Sequence, residues 1–202
     1  MSKQIQKPAN PQGKGIVGVV DDLRNYAPLA VRAKSNHQWL ADYFTSTLVL
    51  GSKYGFKPVW YKDYYLYFKQ QEWKLSLIEP QAWKRHDPGT FFATCNLNQD
   101  MSWSLELAED WQQDSILLVE IQKLEKGFYD SLGRGKSLVE NLPFFIQSLS
   151  YYQRLGANAL AQSLKISLEL SVGIEKSVSY TSAELFSNLS NQKVPLLALS
   201  NE

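Results

Sequence analysis

Two short runs in which the residue pattern repeats every second position most strongly constrain how this chain folds. The first run is 64–68, the second is 73–77, and the joint between them, 69–72, is polar (KQQE). Successive side chains of a β-strand point to opposite faces, so a period of two predicts a strand. Two such runs with a short polar joint predict an antiparallel hairpin. The joint lacks an Asn-Gly pair, so the type of turn stays open.

The predicted hairpin has two faces with different roles. The face predicted to pack in the core carries Tyr64, Leu66, Phe68, Trp73, Leu75 and Leu77. The opposite face carries Tyr65, Tyr67, Lys74 and Ser76. Two explanations of the second set need no ligand: tyrosine is common on half-exposed sheet surfaces, or the C-terminal helices cover this face. We favour these packing explanations over a ligand.

The sequence on either side of the hairpin predicts one helix and two further strands. Residues 35–53 repeat apolar side chains at a helical period, with Ser35 as the N-cap. Residues 90–97 and 101–107 read as a third and a fourth strand, in which Cys95 is expected to be in phase with Phe91. The chain up to residue 110 is therefore expected to form a helix packed on a mostly antiparallel four-stranded sheet.

Beyond residue 110 the helical period returns. One apolar stripe runs from Leu117 to Leu132, and a long helix is predicted to begin at Pro143, since proline suits a first helical turn. The fold class is therefore α+β, with a C-terminal helical hairpin following the sheet. The small residues at 156–161 allow another helix to approach closely. We favour a helix of the same chain, and a dimer interface is the alternative.

Composition shifts divide the chain into four segments. The first residues are polar with Pro8, Pro11, Gly13 and Gly15, and the last are rich in Ser and Asn. The expected segments are an extended arm at 1–30, the helix and sheet core at 31–110, the C-terminal helices at 111–176, and a flexible tail at 177–202. Residues 194–199 are apolar enough to dock on the body.

Charge and cysteine content limit the class of protein. The net charge is +1, so the strong positive charge of a duplex-binding protein is absent. Cys95 is the one cysteine, which fits a reducing compartment, and no apolar run approaches the ~20 residues that span a bilayer. These features predict a cytoplasmic protein without a membrane partner.

The hairpin and the strands after it resemble a family catalogued as a domain of unknown function, DUF2452. The resemblance lies in YYLYFKQQEWKLSLIEPQAW and PGTFFATCNLNQDMSWSLE, over roughly residues 57–107. The matching positions are Tyr64, Tyr65, Leu66, Tyr67, Leu75, Ser76, Ile78, Pro80, Trp83, Asp100 and Trp103, and Asn10, Pro11 and Gly13 resemble the family's N-terminal opening. Ala82 and Lys84 depart from its pattern around the turn tryptophan. The resemblance supports the assignment of these segments as strands and brings no activity.

Motifs for catalysis or cofactor binding are weak in this sequence. Gly13-Lys14-Gly15 lacks the Ser or Thr and the preceding strand of a phosphate-binding loop. Cys95 has no histidine tied to it by spacing, and one cysteine with His37 and His86 does not make a structural zinc site. We expect no metal and no cofactor, and we lean towards a protein that is not an enzyme.

The candidate binding face combines aromatic and basic side chains on the hairpin and on the turn that follows it. Its residues are Tyr65, Tyr67, Lys74, Trp83, Arg85 and His86. The first hypothesis is a binding module for a protein partner or a second copy. The alternatives are a protein that binds RNA or another single strand by stacking bases on aromatic rings, and an enzyme acting on a small phosphorylated substrate.

Overall fold

The computed structural model describes residues 21, 24, 26–84, 86–133, 137–144, 146–187 and 196–199. The strands are β1 (Asp63–Lys69), β2 (Glu72–Ser76), β3 (Thr90–Leu97) and β4 (Trp103–Leu107). The helices are α1 (Asn36–Gly51), α2 (Ser115–Leu132), α3 (Tyr151–Val172), α4 (Ile174–Ser179) and α5 (Ser182–Ser187). Short 3-10 turns cover Pro80–Ala82, Trp111–Gln113, Val139–Asn141 and Leu196–Leu199. The predicted α+β class is confirmed.

The sheet is antiparallel throughout, in the order β2-β1-β3-β4. The predicted hairpin forms, with Leu66 opposite Leu75 and Tyr67 opposite Lys74. The two turn residues Gln70 and Gln71 both have positive φ, at 51° and 63°. This is the left-handed geometry that matches the twist of a two-residue hairpin, and here it forms without glycine.

A bulge between β1 and β3 changes which residues of β3 face the core. Leu66 pairs with Ala93 and Tyr67 pairs with Phe91, so Phe92 is the extra residue. Phe92 is fully buried against Trp73, with ring centroids 5.1 Å apart, whereas Phe91 lies beside Tyr67 on the other face. The expectation that Phe91 is in phase with Cys95 is wrong, because the extra residue shifts the alternation by one position.

Helix α1 links the sheet to α3. Ser35 caps α1 as expected, since its side chain accepts a hydrogen bond from Gln38 N–H. At the other end, Gln153 of α3 donates to the carbonyl oxygens of Leu50 and Ser52, at 2.9 and 2.7 Å. These bonds satisfy carbonyls that the end of a helix leaves without an intrahelical partner.

The small-residue stretch of α3 packs closely against α1. A Cβ atom added to Gly156 would lie 3.0 Å from Leu50 Cδ2 of α1, and the neighbouring alanines Ala157, Ala159 and Ala161 are buried. Trp39 of α1 also donates its indole N–H to Leu164 O at 3.0 Å. The preferred explanation, a helix pair within one chain, therefore accounts for the small residues.

Several predicted boundaries differ from the structure. The helix expected at Pro143 begins at Tyr151, where Ser150 and Gln153 form a capping box that fixes the start. Leu77 was expected in the core but is 46% exposed, because β2 ends at Ser76. Within the segment expected to be a flexible tail, the described residues 177–187 contain α5 and the buried side chains of Tyr180 and Leu185.

The two ends of the chain touch the body where they are described. Tyr26 is buried and its hydroxyl hydrogen-bonds Pro58 O, and Leu29 N–H donates to Gln99 O at 2.8 Å. At the other end, Leu196 and Leu197 are buried. Residues 1–20 of the expected arm lie outside the described residues. Within the described part, none of the helices is long and apolar enough to cross a bilayer.

Candidate binding site

The connection between β2 and β3 folds back over one end of the sheet face that carries Tyr67. Ser76 Oγ accepts from Ile78 N–H, and Tyr67 then donates its hydroxyl to Ile78 O at 2.9 Å. Farther along, Lys69 contacts Asp87 with an Nζ to Oδ2 distance of 3.1 Å. At Gly89 (φ +97°) the chain passes so close to β1 that a Cβ would lie 2.4 Å from Phe68 O. The connection is therefore anchored along its length.

Trp83 in this connection is held in one orientation by Tyr67. Its indole N–H donates to the Tyr67 hydroxyl at 3.0 Å, and the two rings meet edge to face, with centroids 6.0 Å apart at 85°. The Tyr67 side chain is 1% exposed. Burial raises the pKa of Tyr67, with the Trp83 N–H acting in the opposite direction, so the phenol stays protonated as the donor to Ile78.

Lys74 adds a positive charge at the Trp83 ring. Its Cα is paired with that of Tyr67 across the hairpin, and its ammonium lies 5.8 Å from the centroid of the Trp83 ring. An ammonium within about 6 Å of an indole face is attracted by the ring's quadrupole. Lys53 pairs with Glu72 and Lys69 with Asp87, whereas Lys74 makes no ion pair within the described part of the chain. Lys74 therefore keeps its charge available to a ligand.

These residues border a cavity of about 330 Å³ at the closed end of the hairpin. Trp83, Lys74 and His86 line it together with Lys53, Lys69, Gln70, Glu72, Trp73, Asp87 and Pro88. A volume of this size is at the lower end of small-ligand pockets, about 300–1,000 Å³. The cavity is large enough for a side chain of a partner or for a small ligand.

Three of the six residues predicted for the binding face line the cavity in the structure, namely Lys74, Trp83 and His86. The sequence predicts Tyr67 on an exposed face, but it is buried because the connection after β2 covers it. It orients Trp83 and lies outside the cavity lining. Tyr65 is half-buried beside Phe91, at a centroid distance of 6.3 Å, and lies outside the cavity lining. Arg85 lies outside the described residues.

The structure contains a buried ion cluster that no sequence pattern predicts. Lys34 Nζ lies 2.6 Å from Asp42 Oδ2 and 2.6 Å from Asp100 Oδ2, and its side chain is 3% exposed. Burial lowers the pKa of Lys34, but the two carboxylates together outweigh burial, so the pKa of Lys34 is raised. The same lysine lowers the pKa of Asp100 against the effect of burial, whereas burial leaves that of Asp42 raised.

Nothing in the local sequence pattern points to this cluster, since Lys34 precedes a helix cap, Asp42 lies within α1 and Asp100 lies in the turn after β3. The Asp-x-x-Trp motif singles out Asp100 but gives no indication of its partners Lys34 and Asp42. The cluster joins three separate segments, because the single ammonium of Lys34 lies 2.6 Å from both carboxylates.

Nucleophile and metal chemistry find little support in the described residues. Cys95 is fully buried, and burial raises the pKa of its thiol, so it is neither ionised nor accessible at neutral pH. Among the described residues, no group of three or more His, Cys, Asp or Glu side chains is arranged to hold a metal ion.

Comparisons with known proteins give no further guide to the site. No protein-family model, no curated protein and no solved structure matches the chain.

Proposed function

We propose that this protein is a non-enzymatic binding module that contacts a protein partner through Trp83, Lys74 and His86. The observation that carries the proposal is the Lys74 ammonium stacked 5.8 Å from the Trp83 ring beside a cavity of about 330 Å³. Tryptophan is one of the residue types that most often dominate the binding energy of protein interfaces. Placement in the cytoplasm and membership of DUF2452 belong to the same proposal.

The support for a binding role comes from how Trp83 is fixed. Its polar edge is satisfied by a buried tyrosine, and that tyrosine is anchored to the backbone at Ile78. An aromatic ring that is already ordered loses little conformational freedom when a partner packs on it. The exposed Lys84 follows Trp83 directly, so a reporter placed there lies next to the surface.

A photo-crosslinking amino acid at Lys84 tests this function in native cells, with the same reporter at the exposed Asp130 of α2 as the control position. We expect a discrete crosslinked protein from position 84 and none of the same mass from position 130. We also expect that crosslink to fall at least fivefold with Trp83→Ala or Lys74→Ala, a loss in the range of interface hot spots. A crosslink that survives both substitutions contradicts the proposal.

Nucleic acid is the competing ligand for the same surface, because bases also stack on tryptophan beside a cation. Fluorescence anisotropy with a labelled twelve-nucleotide oligo-uridine separates the two. The protein-partner proposal expects no saturable binding at 0.15 M salt. Binding that weakens steeply with salt and is lost in Lys74→Ala would assign the surface to single-stranded nucleic acid instead.

A further inference from the structure

The outward backbone groups of the β4 edge strand are hydrogen-bonded at one end of the strand and not at the other, within the described part of the chain. Asn98 N–H donates to Ser102 O at 2.9 Å, and Ala108 N–H donates to Phe92 O at 2.8 Å. Asn96 pairs with Ser104 between them. Because hydrogen-bonding alternates along an antiparallel pair, the even-numbered residues of β4 face β3. The backbone groups of the odd-numbered residues Trp103, Leu105 and Leu107 therefore point to the outer edge.

At Trp103 that edge is already occupied by α1. Ser46 Oγ accepts from the Trp103 N–H at 2.8 Å, and Thr45 Oγ1 donates to the Trp103 carbonyl at 3.0 Å. At Leu107, no group in the described part of the chain meets the outward N–H or C=O. The edge is thus capped where β4 begins and open where it ends.

The open end borders the large cavity between β4 and α2, with a volume of about 720 Å³. Leu107, Trp111, Leu118 and Ile121 contribute apolar side chains to its wall. The chain's own Leu197 occupies one end, and Leu196 N–H donates to Glu125 Oε1 at 2.6 Å. The carboxylate of Glu125 therefore already binds a backbone N–H group at this cavity.

The charge at the cavity is of one sign. Glu109 and Glu125 line it, and no lysine or arginine is among the lining residues that the structure describes. Neither carboxylate forms an ion pair within that part of the chain. A cationic side chain next to an apolar one is the complement of this surface.

We propose that the β4 edge at Leu107 and the adjoining cavity bind an extended, basic peptide segment of a partner protein. The segment adds to the sheet by pairing with the Leu107 N–H and C=O, places an apolar side chain in the cavity, and sets a lysine or arginine against Glu109 and Glu125. This is strand addition, in which backbone bonds give affinity and side-chain pockets give specificity. The inference stands apart from the Trp83 surface and does not rest on it.

A second copy of this chain fits the edge poorly. Two β4 strands paired about Leu105 would set Leu107 of one copy opposite Trp103 of the other, and the Trp103 groups are taken by Ser46 and Thr45. The β4 strand also carries Glu106, which the acidic cavity would repel. The partner is therefore a different, basic sequence.

Amide hydrogen exchange followed by NMR in the full chain tests the basis of the proposal. We expect Leu107 N–H to exchange at least a hundredfold faster than its neighbours Glu106 and Ala108, since both of these donate to β3. Protection of Leu107 in the free monomer would show that the chain fills its own edge, and protection that grows with protein concentration would show a second copy. Either result overturns the proposal.

Binding is then measured with the peptide acetyl-Lys-Val-Lys-Leu-Lys-Val-Lys-amide by chemical-shift titration. We expect saturating shifts at Leu107 and Ile121 and slower exchange of Leu107 N–H. A peptide with Glu in place of every Lys is expected to bind at least tenfold more weakly. Absence of shifts at these two residues, or equal binding of both peptides, overturns the proposal.

Leu107→Pro removes the outward N–H without touching a bond to β3, a substitution that sheet edges tolerate. The matched control Leu107→Ala removes the same side-chain contacts and keeps the N–H. We expect the proline variant to bind the basic peptide about tenfold more weakly than the alanine variant, as for loss of one backbone hydrogen bond. Equal affinity of the two variants contradicts strand addition, and their unfolding curves show that both are folded.

Discussion

The ammonium group of Lys34 lies 2.6 Å from the carboxylate of Asp100, in a side chain that is only 3% exposed. The same nitrogen lies 2.6 Å from Asp42 in α1, and Asp100 also accepts from the Ser102 N–H and hydroxyl. One lysine thus joins the segment before α1, α1 itself and the β3–β4 turn. Both carboxylates pair with the Lys34 ammonium, so removal of Lys34 leaves each of them without this partner.

Replacing Lys34 by methionine should destabilise the protein by about 2–4 kcal/mol, because two partly buried carboxylates lose their partner. Chemical denaturation with urea measures the change in the free energy of unfolding. Lys53→Met is the matched control, since the Lys53–Glu72 pair has side chains 68% and 58% exposed. Exposed pairs contribute below about 1 kcal/mol, so equal losses in the two variants would contradict a structural role for the cluster.

Asp100 should make stability depend on pH in the acid range. Burial raises its pKa, but Lys34 and Ser102 outweigh burial and leave it below the ordinary 3.8. A carboxyl with a lowered folded-state pKa contributes stability above its unfolded pKa, and that contribution is lost as pH falls through the folded value.

The measurement is the difference in unfolding free energy between the unmodified protein and Asp100→Asn, followed from pH 6 to 2.5. This difference in unfolding free energy should be constant above about pH 5 and should decrease below about pH 4. Asp130→Asn, at an exposed position of α2, provides the comparison. A gap that is independent of pH would show that Asp100 does not act through its charge.

Gly89→Ala should destabilise the protein by more than about 2 kcal/mol, because φ is positive and the new Cβ would overlap the Phe68 carbonyl. Gly127→Ala in α2 is the control, since its Cβ meets no atom within 4 Å. Alanine is the better helix former, so this variant should be about 0.5–1 kcal/mol more stable. Thermal unfolding of both variants checks the opposite signs, and a neutral Gly89→Ala would contradict the close approach.

Gly156→Ala should cost stability because its Cβ would lie 3.0 Å from Leu50 Cδ2. In a double-mutant cycle, Leu50→Ala should relieve that cost, giving a coupling of about 0.5–3 kcal/mol between the two positions. Unfolding free energies of the four proteins give the coupling. Strict additivity would mean that α1 and α3 do not meet at this pair.

Tyr67→Phe should lower stability by about 1–3 kcal/mol, because the Trp83 N–H and the Ile78 carbonyl lose their shared partner. The indole N–H resonance of Trp83 should also exchange faster with solvent. Tyr65→Phe is the control, since no hydrogen bond of the Tyr65 hydroxyl is seen in the described part of the chain, and it should stay within about 0.5 kcal/mol. An unchanged Trp83 resonance in Tyr67→Phe would contradict the support of Trp83 by Tyr67.

Local patterns in the sequence were sufficient to predict most of the elements. The hairpin follows from side chains alternating at Leu66 and Leu75, and the start of α1 follows from the Ser35 cap, because both depend on residues close together in the chain. The start of α3 was placed too early at Pro143, since proline is compatible with a first turn but does not require one.

The candidate site was only partly predictable, because it depends on residues far apart in the chain as well as on local patterns. The sequence by itself determined that Tyr65 and Tyr67 lie on the face opposite Leu66, because strand geometry alternates side chains. Tertiary structure decided that Tyr67 is covered by the connection after β2, that one extra residue at Phe92 shifts β3, and that Lys34 meets Asp42 and Asp100. Each of these depends on contacts between segments far apart in the chain, which no local periodicity encodes.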